Sequence, residues 1–373
     1  MRILITSNTT WNIVNFRMGL VRALLASGHE VLCASPPDGY ETTLQKLPIK
    51  FIPIHIDAKG TNPFHDIKLL YRYARLFYEE NIDVVITYTI KPTIYAGIAA
   101  QLTGTRKIHV ITGLGTAFLR KGWLQWGVTQ LYRIALRRSV RVFFQNSDDR
   151  ALFLENTIVP AASTEIMPGS GVDTSHFSIA PMPDAPPVRF LLIARMLWDK
   201  GIGEFIAALR QLRAEGWPVE GTLLGFVGVD NPSAIPEATI RQWEAEGIVR
   251  YGGATTDVRP CIAKAHCVVL PSSYREGVPR SLLEAAAMGR PIITTDAPGC
   301  RDTVDPQVSG FLVPPKDALA LAQAMRAFLR LAPEERSRMG LAGRAKIVAQ
   351  FDEGMVIATY MRILAEMNPS CPR

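Results

Sequence analysis

Two series of alternating strand and helix patterns, separated by a proline-rich break, constrain what this chain can fold into. From the N-terminus, apolar runs at Arg2 to Ser7, Glu30 to Ala34, Phe51 to Ile54, Val84 to Tyr88, Lys107 to Ile111 and Val142 to Gln145 predict strands. Helical patterns fill the gaps at Phe16 to Ser27, Tyr40 to Lys46, Phe64 to Glu80 and Pro92 to Thr103. Such alternation predicts parallel sheet with crossover helices. The pattern breaks around 168–188, where Pro168, Pro181, Pro183, Pro186 and Pro187 crowd together, the mark of a connection with little packing. A second series follows, with strands at Arg189 to Ala194, Glu220 to Phe226, Ile248 to Tyr251, Cys267 to Pro271 and Pro291 to Thr294. It closes in helical segments at Ala318 to Leu331, Glu334 to Gln350 and Glu353 to Glu366. A chain of 373 residues is too long for one ordinary core and fits two domains. The expectation is an α/β fold of two doubly wound, Rossmann-like domains facing each other across a cleft. The first spans 1–172, a linker 173–188, the second 189–350, and a C-terminal helix in 351–373 crosses back to the first domain.

Composition narrows the class. The opening Met-Arg-Ile-Leu-Ile-Thr-Ser-Asn turns polar too soon for a signal peptide, and no apolar stretch approaches the ~18 to 20 residues a spanning helix needs. A cytoplasmic location follows as the expectation. Five scattered cysteines give no disulfide framework, and Cys261, His266 and Cys267 lack zinc-ligand spacing, so no metal is expected. Asp148 and Asp149 read as the first turn of a helix capped by Ser147, where they complement its dipole, rather than as metal ligands.

The densest chemistry lies in Glu276-Gly-Val-Pro-Arg-Ser-Leu-Leu-Glu284, where two carboxylates are separated by a Gly/Pro turn and the opening of a predicted helix from Ser281 onward. A carboxylate does not bind phosphate, but it accepts paired hydrogen bonds from a vicinal diol, so each Glu suits a sugar or a ribose. An exposed loop Glu and an exposed helical Glu are the ordinary alternative. Upstream, the run from Phe190 ends at a loop carrying Arg195 and Lys200, two cations that can straddle a diphosphate.

Charge is uneven along the chain. The net charge is +7, and residues 1–180 hold 19 Lys/Arg against 13 Asp/Glu. Between Val84 and Ser147 there is no acidic residue, while basic residues include Arg120, Lys121, Arg133 and Arg137. Trp123 and Trp126 are interleaved with them, in a stretch from Gly122 to Arg141 that reads as a helix with apolar and basic sides. Interfacial helices mix Trp with Lys/Arg in this way, pointing to an anionic membrane surface. A core helix with its Trp and Leu on the sheet and its Arg in water is the alternative. No nucleic-acid-binding signature accompanies the basic residues, so nucleic acid is not an expected partner.

Three blocks, Ile193-Ala-Arg-Met-Leu-Trp-Asp-Lys-Gly201, Val269 to Pro291 with its Arg-Glu-Gly-Val-Pro-Arg-Ser-Leu-Leu-Glu core, and Val308-Ser-Gly-Phe-Leu-Val-Pro-Pro315, resemble in order and spacing the donor half of the retaining GT-B glycosyltransferases of the large family 4 group. Gly171-Val-Asp-Thr-Ser-His-Phe177 is similar to that family's linker opening. The resemblance implies a UDP-sugar as donor substrate and no cofactor or metal. Arg195 and Lys200 would neutralise the donor diphosphate, Glu276 would bind hydroxyls of the transferred sugar, and Glu284 the ribose. Backbone N–H groups around Gly277, Val278, Pro279 and Ser281 would approach the donor.

Two departures stand out. Many relatives carry Gly-Gly after the first strand, where this chain has Thr9-Thr-Trp-Asn-Ile-Val-Asn-Phe-Arg17; many also place a His on the loop matching Thr112-Gly-Leu-Gly115, where the nearest here is His109, inside a strand. Asn15 and Arg17, with Thr112, Gly113 and Gly115, are therefore candidates for an acceptor or phosphate loop. These departures resemble the bacterial subgroup that adds a sugar, often N-acetylgalactosamine, to undecaprenyl-diphosphate-linked carriers. A polyprenyl-diphosphate-linked saccharide is then the expected acceptor, and the inner face of the cell membrane the expected place. A GT-B UDP-amino-sugar epimerase and a non-catalytic membrane-docking component of a polysaccharide assembly complex are the rival readings.

Overall fold

The computed structural model describes residues 1–57, 62–114, 123–184 and 186–367. The chain divides into two compact units, Met1–Ser170 with Val356–Arg373, and Gly171–Met355. The first holds seven strands: β1 (Arg2–Thr6), β2 (Glu30–Ser35), β3 (Lys50–Pro53), β4 (Val84–Tyr88), β5 (Arg106–Ile111), β6 (Arg141–Phe144) and β7 (Thr164–Ile166). They form a parallel sheet in the order 3-2-1-4-5-6-7, so strand order reverses between β1 and β4. The second unit holds β8 (Val188–Ile193), β9 (Val219–Leu224), β10 (Arg250–Tyr251), β11 (Cys267–Leu270), β12 (Ile292–Thr295) and β13 (Gly310–Val313), in the order 10-9-8-11-12-13 with its reversal between β8 and β11. In such sheets ligands bind beyond the carboxyl ends of the strands at the reversal.

Burial explains why the central strands were the clearest in the sequence. All five residues of β4 and all four of β11 are buried, because helices cover both faces of a parallel sheet and leave no wet side. The two strands missing from the sequence reading are the short β7 and β13, each at a sheet edge. Around β1, the helix expected at Phe16 to Ser27 is two, Thr10–Phe16 and Met18–Ala26, broken at Arg17 (φ −132°, ψ 1°). Thr9 starts the first by accepting from the Asn12 N–H at 3.2 Å. The cap before Asp148 and Asp149 is Asn146, which accepts from the Asp149 N–H at 2.7 Å; Ser147 is already helical. The helix expected through Arg141 ends at Leu136, leaving Arg137 outside it and Arg141 at the start of β6.

The proline-rich stretch packs more than a linker should. Phe177 is buried, and the buried Arg290 donates to the carbonyls of Ala180 (2.9 Å) and Pro181 (2.7 Å) as well as Ile262 and Ala263 (3.0 Å each). A buried guanidinium without carboxylate needs such acceptors, and here they bind the stretch to the second unit. His266 and Cys267 have ordinary roles: the Arg189 N–H donates to His266 Nδ1 (3.0 Å), leaving Nε2 to donate to the Asp184 carbonyl (3.2 Å), and Cys267 is in the core. At the other end of the chain, helix Glu353–Met367 sends Tyr360, Ile363 and Leu364 into the core that contains Ile3, Ile5 and Tyr88. The Tyr360 and Tyr88 hydroxyls are hydrogen-bonded at 2.8 Å.

Candidate active site

At the carboxyl ends of β8 and β11 the second unit assembles a compact polar cluster. Beyond β8, Arg195 is exposed, and the single turn Trp198–Lys200 leads into Gly201 and helix Ile202–Ala214. Gly201 has φ +75° and packs on the segment after β11: a Cβ there would lie 2.0 Å from the Pro271 carbonyl oxygen. That approach puts Lys200 against the residues following Leu270. Its Nζ is ion-paired with Glu276 Oε1 and stands 5.5 Å from the Tyr274 ring centre. Ser272 Oγ donates to the same Glu276 oxygen at 2.9 Å, and the Ser273 N–H donates to the Asp199 carbonyl at 2.9 Å, tying the two loops together.

Glu284 lies on helix Arg280–Ala287, four residues after Arg280, whose Nε is 3.1 Å from Glu284 Oε1; both side chains are mostly buried. Burial raises the Glu284 carboxyl to about 7, with Arg280 pulling the other way. No side chain caps this helix, since its N-cap is Pro279, so its positive end is directed by the Gly277–Pro279 turn alone. That turn is braced from β12: Gly299, at φ +79°, approaches it so closely that a Cβ would sit 1.8 Å from the Gly277 carbonyl oxygen.

The structure therefore brings Lys200 to Glu276 and sets Glu284 on the adjoining helix, while Arg195 stands exposed on the same loop as Lys200. The sequence reading did not single out Ser272, Tyr274 or Arg280. The i,i+4 spacing of Arg280 and Glu284 was a visible signal for one of them; the Ser272 contact exists only because the chain turns back after Pro271.

In the first unit, Asn15 Nδ2 donates to the Trp11 carbonyl at 2.9 Å, and Arg17 is buried with its guanidinium 4.0 Å over the Tyr88 ring. Thr112 and Gly113 follow β5, while Gly115, Arg120 and Lys121, and the side chain of Trp123, lie outside the described residues. His109 is wholly buried with Nδ1 2.7 Å from Thr87 Oγ1, and burial lowers its pKa to about 3, so it is a neutral core residue. Trp126 is 68% exposed, and Arg133 and Arg137 are also exposed; the neighbouring Tyr132, Ala135 and Leu136 are buried. Helix Pro63–Glu79, expected from the sequence but not as an exposed apolar face, exposes Phe64 (80%), Ile67, Tyr71 and Tyr78 (82%) beside Lys68 and Arg75.

Two parallel-sheet units, the second carrying a cation and carboxylate cluster beside an uncapped helix at its strand-order reversal, define a two-domain α/β protein. Residues 2–146 match the model for glycosyl transferase 4-like domains, and residues 187–330 that for glycosyl transferases group 1; between them they cover most of the chain. The chain belongs to the GT-B glycosyltransferases. It is 25% identical, over 97% of its length and 98% of the relative's, to N,N'-diacetylbacillosaminyl-diphospho-undecaprenol alpha-1,3-N-acetylgalactosaminyltransferase of Campylobacter jejuni. In fold it matches HepE of Anabaena, solved in complex with UDP-glucose, at a TM-score of 0.80 and 17% identity over 98% of this chain and 100% of that one. A glycosyltransferase of Rickettsia africae matches at a TM-score of 0.76 and 19% identity over 98% of each chain.

Proposed function

We propose that this glycosyltransferase moves a sugar, an N-acetylhexosamine such as N-acetylgalactosamine, from a UDP-sugar to a polyprenyl-diphosphate-linked saccharide, with retention of configuration and without a metal. The observation that carries the reading is the Lys200–Glu276 pair beside the helix opening at Arg280. A donor diphosphate offers Lys200 a more strongly charged partner than one carboxylate does. Glu276, still held by Ser272, then keeps acceptor oxygens for the hydroxyls of the transferred sugar, and Glu284 accepts from the ribose. Arg195, Lys200 and the backbone N–H groups of the Gly277–Ser281 turn stabilise the charge that develops on the leaving diphosphate. The acceptor hydroxyl attacks the anomeric carbon on the face from which UDP departs. Its oxygen forms the new glycosidic bond as the old carbon–oxygen bond breaks, and its proton passes to the departing phosphate oxygen.

The Campylobacter relative's name supports the acceptor class, and the Anabaena complex supports a UDP-linked donor. A place on the cytoplasmic face of an anionic membrane is part of the proposal. It is supported by the exposed Phe64, Ile67 and Tyr71 beside Lys68 and Arg75 on helix Pro63–Glu79, and by the exposed Trp126, Arg133 and Arg137 in 126–137. No helix among the described residues is long and apolar enough to cross a membrane. The test is UDP release from a panel of UDP-sugars with and without a short polyprenyl-diphosphate glycan. Release that requires the glycan, with the sugar recovered on it in the α configuration, is expected. Conversion of the UDP-sugar without acceptor would instead support the epimerase reading.

A further inference from the structure

The second unit carries a cavity that the donor cluster does not use. Its volume is about 500 Å³, within the roughly 300–1,000 Å³ of small-ligand sites. It is lined by Trp198, Asp199 and Ser273, by Gly203 and Glu204 from the first turn of helix Ile202–Ala214, and by Lys316 from the loop before helix Ala318–Arg330. Asp199 precedes Lys200 and Ser273 follows Ser272, so the cavity adjoins the Lys200–Glu276 pair without sharing a side chain with it.

The aromatic wall of the cavity is fixed in place. Trp198 is 44% exposed, yet its ring lies against Gly203, where a Cβ would stand 3.2 Å from Cζ3, and perpendicular to Trp243 with ring centres 5.9 Å apart. The Trp198 N–H donates to the Ser233 carbonyl at 2.8 Å and the Asp199 N–H to Ser233 Oγ at 3.2 Å. Lys316 is held at φ +60°, left-handed backbone that a residue with a Cβ adopts only under strain. The next residue, Asp317, pins that loop by accepting from the Ala320 N–H at 2.8 Å.

The charged groups are left open. Ser273 Oγ donates to the Asp199 carbonyl at 3.3 Å, but the carboxylates of Asp199 and Glu204 and the ammonium of Lys316 make no hydrogen bond or ion pair among the described residues. A Glu in the first turn of a helix is favourable by itself, since it complements the dipole. That accounts for Glu204, but neither for a second carboxylate in the same cavity nor for a half-exposed Trp held against a glycine. Two carboxylates against one ammonium give the cavity a net negative charge, which disfavours a phosphate. Carboxylate oxygens accept paired hydrogen bonds from vicinal hydroxyls, the ammonium donates to a hydroxyl oxygen, and a rigid indole offers apolar surface to the C–H face of a sugar ring.

We propose that this cavity is a saccharide subsite for a neutral pyranose, distinct from the place of the transferred sugar at Glu276. The proposal rests on the function above for the source of that pyranose, which is either a further sugar of the lipid-linked acceptor or a unit of a separate glycan.

Ligand-observed NMR titration of the full chain, saturated with UDP, with methyl N-acetyl-α-galactosaminide and N,N'-diacetylchitobiose tests it without turnover, so failure of sugar transfer and failure of this subsite are separate results. The wild type is expected to bind at least one of these probes. Trp198→Ala and Glu204→Gln are each expected to weaken that binding about fivefold or more, the scale of one lost hydrogen bond, with the affinity of Glu204→Gln for UDP unchanged. Kinetics with an acceptor carrying several sugars then assign the source. A KM for acceptor raised severalfold by Glu204→Gln at unchanged kcat marks a subsite for the acceptor's further sugars, and unchanged kinetics mark one for a separate glycan. No probe binding by the wild type, or wild-type probe affinity in either variant, overturns the proposal. A parallel loss of UDP affinity in Glu204→Gln overturns it as well, since the cavity would then be part of the donor site. Should Trp198→Ala fail to fold because its ring also packs on Trp243, Glu204→Gln decides alone.

Discussion

Glu284 is the residue whose chemistry depends most on its surroundings. Its carboxyl is raised to about 7 by burial, so between its unfolded value near 4.5 and about 7 the folded protein binds the extra proton. The stability this contributes is fully present below about 4.5 and is lost as pH rises through about 7. Ribose hydroxyls require the ionised form as acceptor, so donor affinity runs the other way. UDP binding should strengthen about fivefold from pH 6 to pH 7 and about tenfold from pH 6 to pH 8 and then level off, since about a tenth of the carboxylate is ionised one pH unit below the pKa and about half at the pKa. In Glu284→Gln the binding should be weak and flat over that range; an unchanged slope in that variant would remove Glu284 from the ribose role. Lys200→Ala should lower kcat by about 10² to 10³ with the fold intact by circular dichroism, the scale on which a preorganised group acts at a developing charge. Full activity there would overturn the site. Residue type and spacing made Lys200 and Glu276 legible in the sequence. Their direct pairing was not, because 76 residues separate them and the contact depends on where two strand ends fall.

Among the elements, the Lys200–Glu276 cluster and the turn beside it depend on two loops, at Gly201 and Gly299, that approach other backbone too closely for a side chain. Gly299→Ala places a Cβ 1.8 Å from the Gly277 oxygen at φ +79°, and should cost about 1–3 kcal/mol in stability while weakening UDP binding through the displaced turn. Gly28→Ala has a similar φ, +76°, with nothing within 4 Å, and should cost only about 1 kcal/mol and leave UDP binding unchanged. Paired thermal melts and UDP titrations separate the two cases; equal effects would mean that contact with the Gly277 turn does not matter. Nothing in the sequence distinguishes these glycines, since both sit in turns. The difference lies in a neighbour 22 residues away for Gly299 and in open space for Gly28. The same holds for Arg17. It reads as the second residue of one helix from Phe16 to Ser27, yet a helix break falls there and the side chain is buried over Tyr88.

For the molecule as a whole, membrane attachment is the property in which composition and structure diverge most. The acid-free span between Val84 and Ser147 directed attention to helix Trp123–Leu136, whereas the broader exposed apolar and aromatic face lies on helix Pro63–Glu79. Flotation with anionic vesicles should recover the protein with the lipid at low salt and release it as ionic strength rises, because screening weakens attraction between surface charges. Phe64→Ser with Tyr71→Ser should reduce flotation several-fold at low salt without lowering the thermal midpoint; binding indifferent to both lipid charge and these substitutions would sink the membrane part of the proposal. The sequence by itself determined the two parallel sheets, since fully buried strands must be continuous apolar runs and crossover helices must alternate with them. It also named Lys200, Glu276 and Glu284, which the structure sets in one polar cluster, but not Ser272, Tyr274 or Arg280. Only the tertiary structure decided that Glu276 faces Lys200, that Glu284 is buried enough to hold its proton near neutrality, and that Trp198, Asp199, Glu204 and Lys316 line one cavity. Pairing, burial and desolvation are properties of which segments meet, and segments distant in sequence meet only when the sheets have formed.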